Sequence, residues 1–105
     1  MVLPSRFEYL GRVAVEAMSL GRPAVVAQGS GAAESLVHHG VDGVIVDSSN
    51  PVAFGRALSE LAEPRYRASL TAGAARAADA LTPRAAAAAI LRAIELAGRE
   101  NWRAR

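Results

Sequence analysis

The sequence predicts an α/β fold, with a parallel sheet of about three strands and flanking helices followed by a helical carboxyl-terminal half. Before Pro64, three short runs rich in β-branched residues alternate with segments of helical spacing. After it, 15 of the 42 residues from 64 to 105 are alanine, and no strand candidate remains. Strands joined by helical crossovers run parallel with right-handed connections, so we expect three neighbouring strands with helices on both faces.

The first two predicted strands enclose the first helix. Residues 2–3 form a brief strand, and residues 5–11 form the loop after it. Residues 12–20 carry apolar side chains at helical spacing, and Gly21 is placed to cap this helix at its carboxyl end. Residues 23–27 are apolar throughout, as expected of a strand that is covered on both faces.

A second, shorter helix precedes the third strand. Residues 32–39 are predicted to be helical and to stop at Gly40, with two histidines in the last turn. With Gly31 as the cap, Glu34 takes the capping-box position, where a carboxylate stabilises free amides. Residues 43–46 form the third strand.

Prolines mark the starts of the later helices. Asn50-Pro51 and Thr82-Pro83 each place a capping side chain before a proline, whose missing N–H costs nothing at the first helical position. The predicted helices cover residues 51–62, 65–80 and 83–99. We therefore treat residues 1–105 as part of one domain, with an α/β portion over 1–63 and closing helices over 64–105.

Composition excludes several functions. The chain has no cysteine, which excludes disulfides, thiolate metal sites and a cysteine nucleophile. Its apolar runs are too short to cross a bilayer, and no secretory signal opens the chain. We expect no transmembrane segment and a cytoplasmic location, with peripheral attachment of a whole enzyme to a membrane surface left open.

The charge does not indicate a nucleic-acid-binding protein. The sequence pI of about 9.9 comes from 12 arginines and no lysine against 10 acidic residues, a net charge of +2. Residues 1–63 carry a net −3 and residues 64–105 a net +5. Only 5% of the residues are aromatic and the arginines are scattered, so a solvated helix face is favoured over a nucleic-acid interface.

The loop after the first strand carries the candidate site, because parallel sheets bind ligands beyond the carboxyl ends of their strands. Glu8 lies in this loop and Glu16 in the following helix, so the two carboxylates can converge on one crevice. Gly11 permits close backbone approach, and the amides of Arg12 and Val13 are unsatisfied at the helix start. Carboxylates accept hydrogen bonds from hydroxyls and these amides donate to phosphates, a combination that suits a nucleotide sugar.

Structural explanations remain open for the same residues. Glu16 follows Arg12 by four positions, so the two can form a surface ion pair worth a few tenths of a kcal/mol. Glu8 can be a solvated loop residue. The histidines lack further ligands nearby, so no metal site is predicted. The alternative to an enzyme is a small α/β interaction module that binds a partner through its basic helical half.

A longer pattern resembles a known family. The matching residues are Leu3-Pro4-Ser5, Glu8, Gly11, Glu16-Ala17-Met18, Gly21, Pro23, Val25-Val26-Ala27, Gly29, Glu34, Gly40, Gly43 and Val46. This pattern resembles the carboxyl-terminal, donor-binding portion of retaining glycosyltransferases with the GT-B fold, specifically glycosyltransferase family 4 (group 1). The resemblance implies half of a Rossmann-like domain that transfers a sugar from a nucleotide diphosphate-sugar to an acceptor hydroxyl.

The resemblance also implies roles for individual residues. Glu8 is similar to the glutamate that contacts the donor hexose and stabilises charge at the reacting sugar. Glu16 is similar to the glutamate that accepts hydrogen bonds from the ribose hydroxyls. The amides near Gly11, Arg12 and Val13 resemble those that hold the sugar and the diphosphate. The family needs no metal or other cofactor, and no covalent nucleophile is expected.

Departures from the family pattern predict an incomplete enzyme. Tyr9-Leu10 stands where many members have glycine and phenylalanine. In the turn after the second strand, Ser30-Gly31-Ala32 stands where the family more usually has a second glycine. The basic clamp for the diphosphate and the amino-terminal acceptor domain lie upstream in the family. We therefore expect the chain to be a fragment that is inactive alone, and its exposed strand over residues 2–3 to self-associate or to require another chain.

Overall fold

The computed structural model describes the backbone of residues 1–103 and the side chains of residues 1–98. Strands and helices follow one another in the predicted order. The elements are β1 (Val2–Leu3), α1 (Arg12–Ser19), β2 (Ala24–Ala27), α2 (Gly31–Ser35), β3 (Gly43–Val46), α3 (Pro51–Ala62), α4 (Pro64–Asp79) and α5 (Pro83–Arg103). Within residues 1–103, no helix combines the length and the apolar character that crossing a bilayer requires.

The three strands form one parallel sheet in the order β1-β2-β3. Val2 of β1 lies opposite Val25 of β2. The second and third strands pair along their whole length, from Ala24 opposite Gly43 to Ala27 opposite Val46. The partial Rossmann-like sheet predicted from the sequence is therefore confirmed.

The middle strand separates two apolar cores, because successive side chains of a strand point to opposite faces. Val26 belongs to one core, which includes Met18 of α1. Val25 belongs to the other, which includes Leu70 of α4. The uniformly apolar sequence of β2 thus reflects burial on both faces, as predicted.

A glycine ends α1 as predicted. Gly21 has a φ of 67°, in the left-handed region that glycine occupies without steric penalty. Its N–H donates to the carbonyl of Met18 at 2.8 Å, and the N–H of Arg22 donates to the carbonyl of Ala17 at 3.0 Å. These two bonds form a Schellman motif, which satisfies the last carbonyls of the helix.

The second helix begins one residue earlier than predicted. Ser30 is its cap, since Ser30 Oγ accepts a hydrogen bond from the Ala33 N–H at 3.3 Å and donates to the Ala27 carbonyl at 2.7 Å. Glu34 then occupies the fourth helical position rather than the third. The predicted capping box with Gly31 as cap is therefore wrong, and the serine hydroxyl takes its place.

The same helix also ends early, at Ser35, so the predicted last turn containing His38 and His39 does not form. Asp42 explains the difference. Its side chain is buried, Oδ1 accepts the backbone N–H of His38 at 2.6 Å, and Oδ2 lies 2.7 Å from His38 Nδ1. A side chain that binds a backbone N–H competes with the helical hydrogen bond for the same donor.

Replacing Asp42 with alanine is expected to lower the free energy of unfolding by about 1–2 kcal/mol, because the His38 N–H loses its acceptor. Asp42→Asn keeps an acceptor oxygen at this position and should lose less. Urea denaturation of the two variants measures the difference. Equal losses would contradict the role assigned to this hydrogen bond.

The two edges of the sheet differ. Along β3, the Gly40 N–H donates to the Gly43 carbonyl at 2.8 Å, and the Ile45 N–H donates to His39 Nδ1 at 3.0 Å. Along β1, Val2 is exposed, and no described strand lies beside its outer edge. One edge is therefore covered by the preceding turn, whereas the other is open, as the sequence predicted.

The last helix extends away from the sheet. Among its described side chains, over residues 83–98, only Ala85 is half-buried and the others are exposed, including Ile90 and Ile94. The radius of gyration is 16.9 Å and the longest dimension 59 Å, whereas a compact domain of this length has a radius of gyration of about 13 Å. The extended shape follows from the projection of α5.

Candidate functional site

The loop between β1 and α1 lies directly against the start of α2. The Gly31 N–H donates to the Glu8 carbonyl at 2.6 Å. The backbones are so close that a Cβ on Gly31 would lie 1.5 Å from the Tyr9 carbonyl oxygen. A residue with no side chain at position 31 is what allows this loop to hold Glu8 at the carboxyl end of the sheet.

Gly11 turns the loop into α1. Its φ of 74° lies in the left-handed region, and a Cβ at this position would lie 2.9 Å from both Ala32 Cβ and Leu3 Cδ2. From the sequence, Gly11 was expected to permit close approach of the backbone to a ligand. In the structure, backbone conformation and packing against the protein already require glycine here.

The first amides of α1 are free to bind a ligand. The Gly11 carbonyl accepts the N–H groups of Ala14 at 2.8 Å and Val15 at 3.3 Å. The N–H groups of Arg12 and Val13 donate to no acceptor in the described part of the chain, and no side chain caps the helix. Such amides carry partial positive charge, which suits them to an anion.

Glu8 lines a cavity of about 500 Å³ at the carboxyl ends of β1 and β2. The other lining residues are Phe7, Tyr9 and Gly29. Phe7 and Tyr9 are almost entirely exposed, at 95% and 102% of their reference areas. A carboxylate between two exposed rings can accept hydrogen bonds from hydroxyls and offer apolar surface to the same ligand.

Glu16 lines a different cavity, of about 560 Å³, between α1 and the start of α5. The remaining lining residues are Leu10, Arg12, Val15, Ala80, Leu81, Ala85, Ala86 and Ala89. Glu8 and Glu16 therefore line separate described cavities. The two cavities adjoin along the chain, because Tyr9 lines the first and its neighbour Leu10 lines the second.

The ion pair considered for Arg12 and Glu16 does not form between these two described side chains. Both are exposed at the cavity between α1 and α5. Sequence reasoning did not anticipate the residues of α5 in this cavity. No local signal could have revealed them, since they follow Glu16 by about seventy positions and meet it only through the tertiary fold.

The third loop at this end of the sheet follows β3. Asp47 Oδ1 accepts hydrogen bonds from Ser49 Oγ at 2.7 Å and from the Ser49 N–H at 2.8 Å. These bonds, the hydroxyl first, hold the pKa of Asp47 below its ordinary value. Asp47 is therefore a charged turn residue. Within the described residues, no three histidine, aspartate or glutamate side chains are grouped to hold a metal ion.

A parallel sheet with a carboxylate-bearing loop and free helix-start amides at its carboxyl end is part of a Rossmann-like ligand-binding domain. The sequence comparison identifies the family. A profile described as "Glycosyl transferases group 1" matches residues 1–64. The chain belongs to this family of glycosyltransferases, which confirms the resemblance seen in the sequence.

Individual relatives agree with this assignment. The chain is 42% identical over 76 residues to the D-inositol 3-phosphate glycosyltransferase of Thermobispora bispora, covering 71% of this chain and 18% of that protein. It is 42% identical over 77 residues to the enzyme of the same name from Salinispora tropica, covering 72% of this chain and 16% of that protein. The chain thus spans about one sixth of the length of these curated relatives.

A solved structure confirms the fold. Sucrose-phosphate synthase from Thermosynechococcus elongatus matches with a TM-score of 0.72 and 25% identity, over 99% of this chain and 25% of that protein. The described elements therefore form part of a GT-B glycosyltransferase fold. The closing helices, which the family profile does not reach, are included in this structural match.

Proposed function

We propose that this chain is the donor-binding part of a retaining glycosyltransferase of family 4, which transfers a sugar from a nucleotide diphosphate-sugar to an acceptor hydroxyl. The observation that carries the proposal is that Glu8 and Glu16 each line a cavity, and that the lining residues of the two cavities follow one another in the chain at Tyr9 and Leu10. The free amides of Arg12 and Val13 lie between these glutamates in the chain. A donor has the same three parts in the same order: sugar, diphosphate and nucleoside.

Each part of the donor meets suitable chemistry. The hexose hydroxyls donate hydrogen bonds to Glu8, and the ribose hydroxyls donate to Glu16. The diphosphate accepts from the helix-start amides of Arg12 and Val13, near Gly11. This arrangement uses backbone donors where other enzymes use a cation, so we propose a reaction that needs no metal or other cofactor.

The proposed reaction breaks the bond between the anomeric carbon and the diphosphate. Negative charge then develops on the leaving group, where the amides of Arg12 and Val13 stabilise it. Positive charge develops on the sugar ring, where the carboxylate of Glu8 stabilises it. The acceptor hydroxyl attacks the anomeric carbon from the face that the diphosphate leaves and passes its proton to the departing diphosphate oxygen, so configuration is retained without a covalent nucleophile in this chain.

The rest of the reaction requires parts outside these residues. We propose that an amino-terminal domain binds the acceptor and that further basic residues hold the diphosphate, since the chain has no lysine. The isolated chain should therefore bind donor without transferring sugar. The acceptor named for the relatives is D-inositol 3-phosphate, which makes it the first acceptor to assay with a whole enzyme.

The open edge of β1 supports a second part of the proposal. An exposed strand edge presents unpaired N–H and C=O groups, which favour pairing with another strand. Val2 is exposed at this edge. We propose that β1 pairs with a strand of the missing part of the enzyme, and with a second copy when that part is absent.

Donor binding by the isolated chain tests the proposal. Saturation-transfer NMR with UDP-glucose and GDP-mannose should show contacts to both the sugar and the ribose of at least one donor. Glu8→Gln should weaken the sugar contacts and Glu16→Gln the ribose contacts, each lowering affinity about tenfold by loss of charge-assisted hydrogen bonds. Glu60→Gln, an exposed glutamate of α3, is the matched control and should change neither.

The rival function, a non-enzymatic interaction module, predicts a different result from the same variants. It requires no role for Glu8 or Glu16, so neither substitution would alter binding. Absence of donor contacts in the unmodified chain, or equal effects of all three glutamate substitutions, would overturn the proposed donor site.

A further inference from the structure

We infer that His39 is a pH-sensitive cap on the outer edge of β3: the neutral ring holds the Ile45 N–H, and protonation of the ring releases it. His39 Nδ1 accepts this N–H at 3.0 Å. The backbone of the same residue lies beside the start of the strand, where His39 forms an isolated parallel bridge with Gly43. The side chain therefore extends the cover that the turn gives to this edge.

The bond to Ile45 requires one charge state of the ring. A histidine nitrogen accepts a hydrogen bond only while it carries no proton, so the neutral ring of His39 carries its proton on Nε2. In the charged ring both nitrogens are donors, and Nδ1 would then oppose the Ile45 N–H. Because histidine changes charge between about pH 5 and 8, the bond is present at the upper end of this range and is lost as the pH falls through it.

The neighbouring histidine responds in the opposite way. His38 Nδ1 lies 2.7 Å from Oδ2 of the buried Asp42, and the His38 backbone N–H donates to Oδ1 at 2.6 Å. A carboxylate only accepts hydrogen bonds, so Nδ1 of His38 donates in the neutral and in the charged ring alike. Protonation thus keeps the His38 part of the turn in place while it releases the His39 side chain.

Charged groups of α3 also face His39. The ring lines a cavity of about 300 Å³ beside β3, together with Arg56 and Glu60. Glu60 favours the charged ring and Arg56 disfavours it, so their effects oppose each other. Among the described side chains neither forms an ion pair with His39, and the other residues that line the cavity carry no charge. The hydrogen bond to Ile45 is therefore the contact that distinguishes the two charge states.

Amide hydrogen exchange measured by NMR tests the inference at Ile45. Protection factors, which correct for the intrinsic pH dependence of exchange, are compared at about pH 7.5 and about pH 5, on either side of the ring's titration. In the unmodified chain, the Ile45 protection factor should fall about fivefold or more at the lower pH, through loss of one hydrogen bond. The Gln28 N–H, which donates to the Val46 carbonyl at 2.7 Å between β2 and β3, should change by less than about twofold.

His39→Asn and His38→Asn are the matched variants. Oδ1 of an asparagine occupies the position of Nδ1 and accepts a hydrogen bond without titrating. In His39→Asn, the Ile45 protection factor should therefore differ by less than about twofold between the two pH values. In His38→Asn, the fall seen in the unmodified chain should persist. Both histidines are exposed, so folding should tolerate either substitution.

The other outcomes would overturn the inference. A fall at Ile45 that persists in His39→Asn, or that disappears in His38→Asn, would assign the pH dependence to another group. An equal fall at Gln28 would mean that the whole sheet opens rather than its capped edge. Exchange at Ile45 as fast as in an unfolded chain at both pH values would mean that the His39 ring holds no hydrogen bond there.

Discussion

Gly31→Ala is expected to lower the free energy of unfolding by about 3 kcal/mol or more, at the upper end of the range for overpacking. The added Cβ would lie 1.5 Å from the Tyr9 carbonyl oxygen and 2.9 Å from the Glu8 carbonyl oxygen. Both neighbours are backbone atoms, so the loop must move rather than a side chain rotate. Urea denaturation measures the loss, and NMR shifts of residues 7–9 report the displacement.

Gly55→Ala is the matched control for this prediction. Gly55 is an exposed residue inside α3, and a Cβ there would meet no atom within 4 Å. Alanine should therefore raise stability by about 0.5–1 kcal/mol through its better helix propensity. If Gly31→Ala lowers the free energy of unfolding no more than Gly55→Ala does, the close approach of the loop to α2 is wrong, and so is the placement of Glu8 that depends on it.

Met18→Ala is the second substitution with a large expected effect, a loss of about 2–5 kcal/mol. Met18 is fully buried in the core beneath α1, with Val26 of β2 and Leu36 in the same cluster. Truncation removes apolar contacts and leaves a cavity that the surrounding residues fill only partly. Thermal and urea unfolding of the variant measure the loss.

Leu20→Ala provides the comparison for Met18. Leu20 follows the same helix but is 76% exposed, so its truncation should change stability by no more than about 0.5 kcal/mol. Similar losses at the two positions would mean that α1 packs on the sheet with another face. That result would also change the position assigned to Glu16, because Glu16 lies in the same helix.

Local signals were enough to predict most of the fold. Asn50 Oδ1 accepts the Ala53 N–H at 3.1 Å, and Thr82 Oγ1 accepts the Ala85 N–H at 3.2 Å. Both caps work as the sequence indicated, because a cap depends on residues only three positions apart. The strands β2 and β3 were equally readable, since each is a short β-branched run with a turn on either side.

The errors in the prediction come from contacts between distant or competing groups. Asp42 ends α2 by binding His38 from the far side of a turn, and helix periodicity carries no information about that contact. Residues of α5 line the cavity beside Glu16, and spacing along the chain carries no information about that contact either. Only the tertiary fold shows which residues surround each carboxylate.

The unequal edges of the sheet limit how this chain can assemble. The Ile45 N–H already donates to His39 Nδ1, and the Gly43 carbonyl already accepts the Gly40 N–H, so a further strand beside β3 would have to displace both bonds. Among the described strands, only β1 has an outer edge beside which no strand or turn lies. If β1 pairs with another strand as proposed, assembly therefore stops after one partner, whereas a sheet with two open edges could polymerise into fibres. The short turn before β3 therefore limits sheet pairing to one edge.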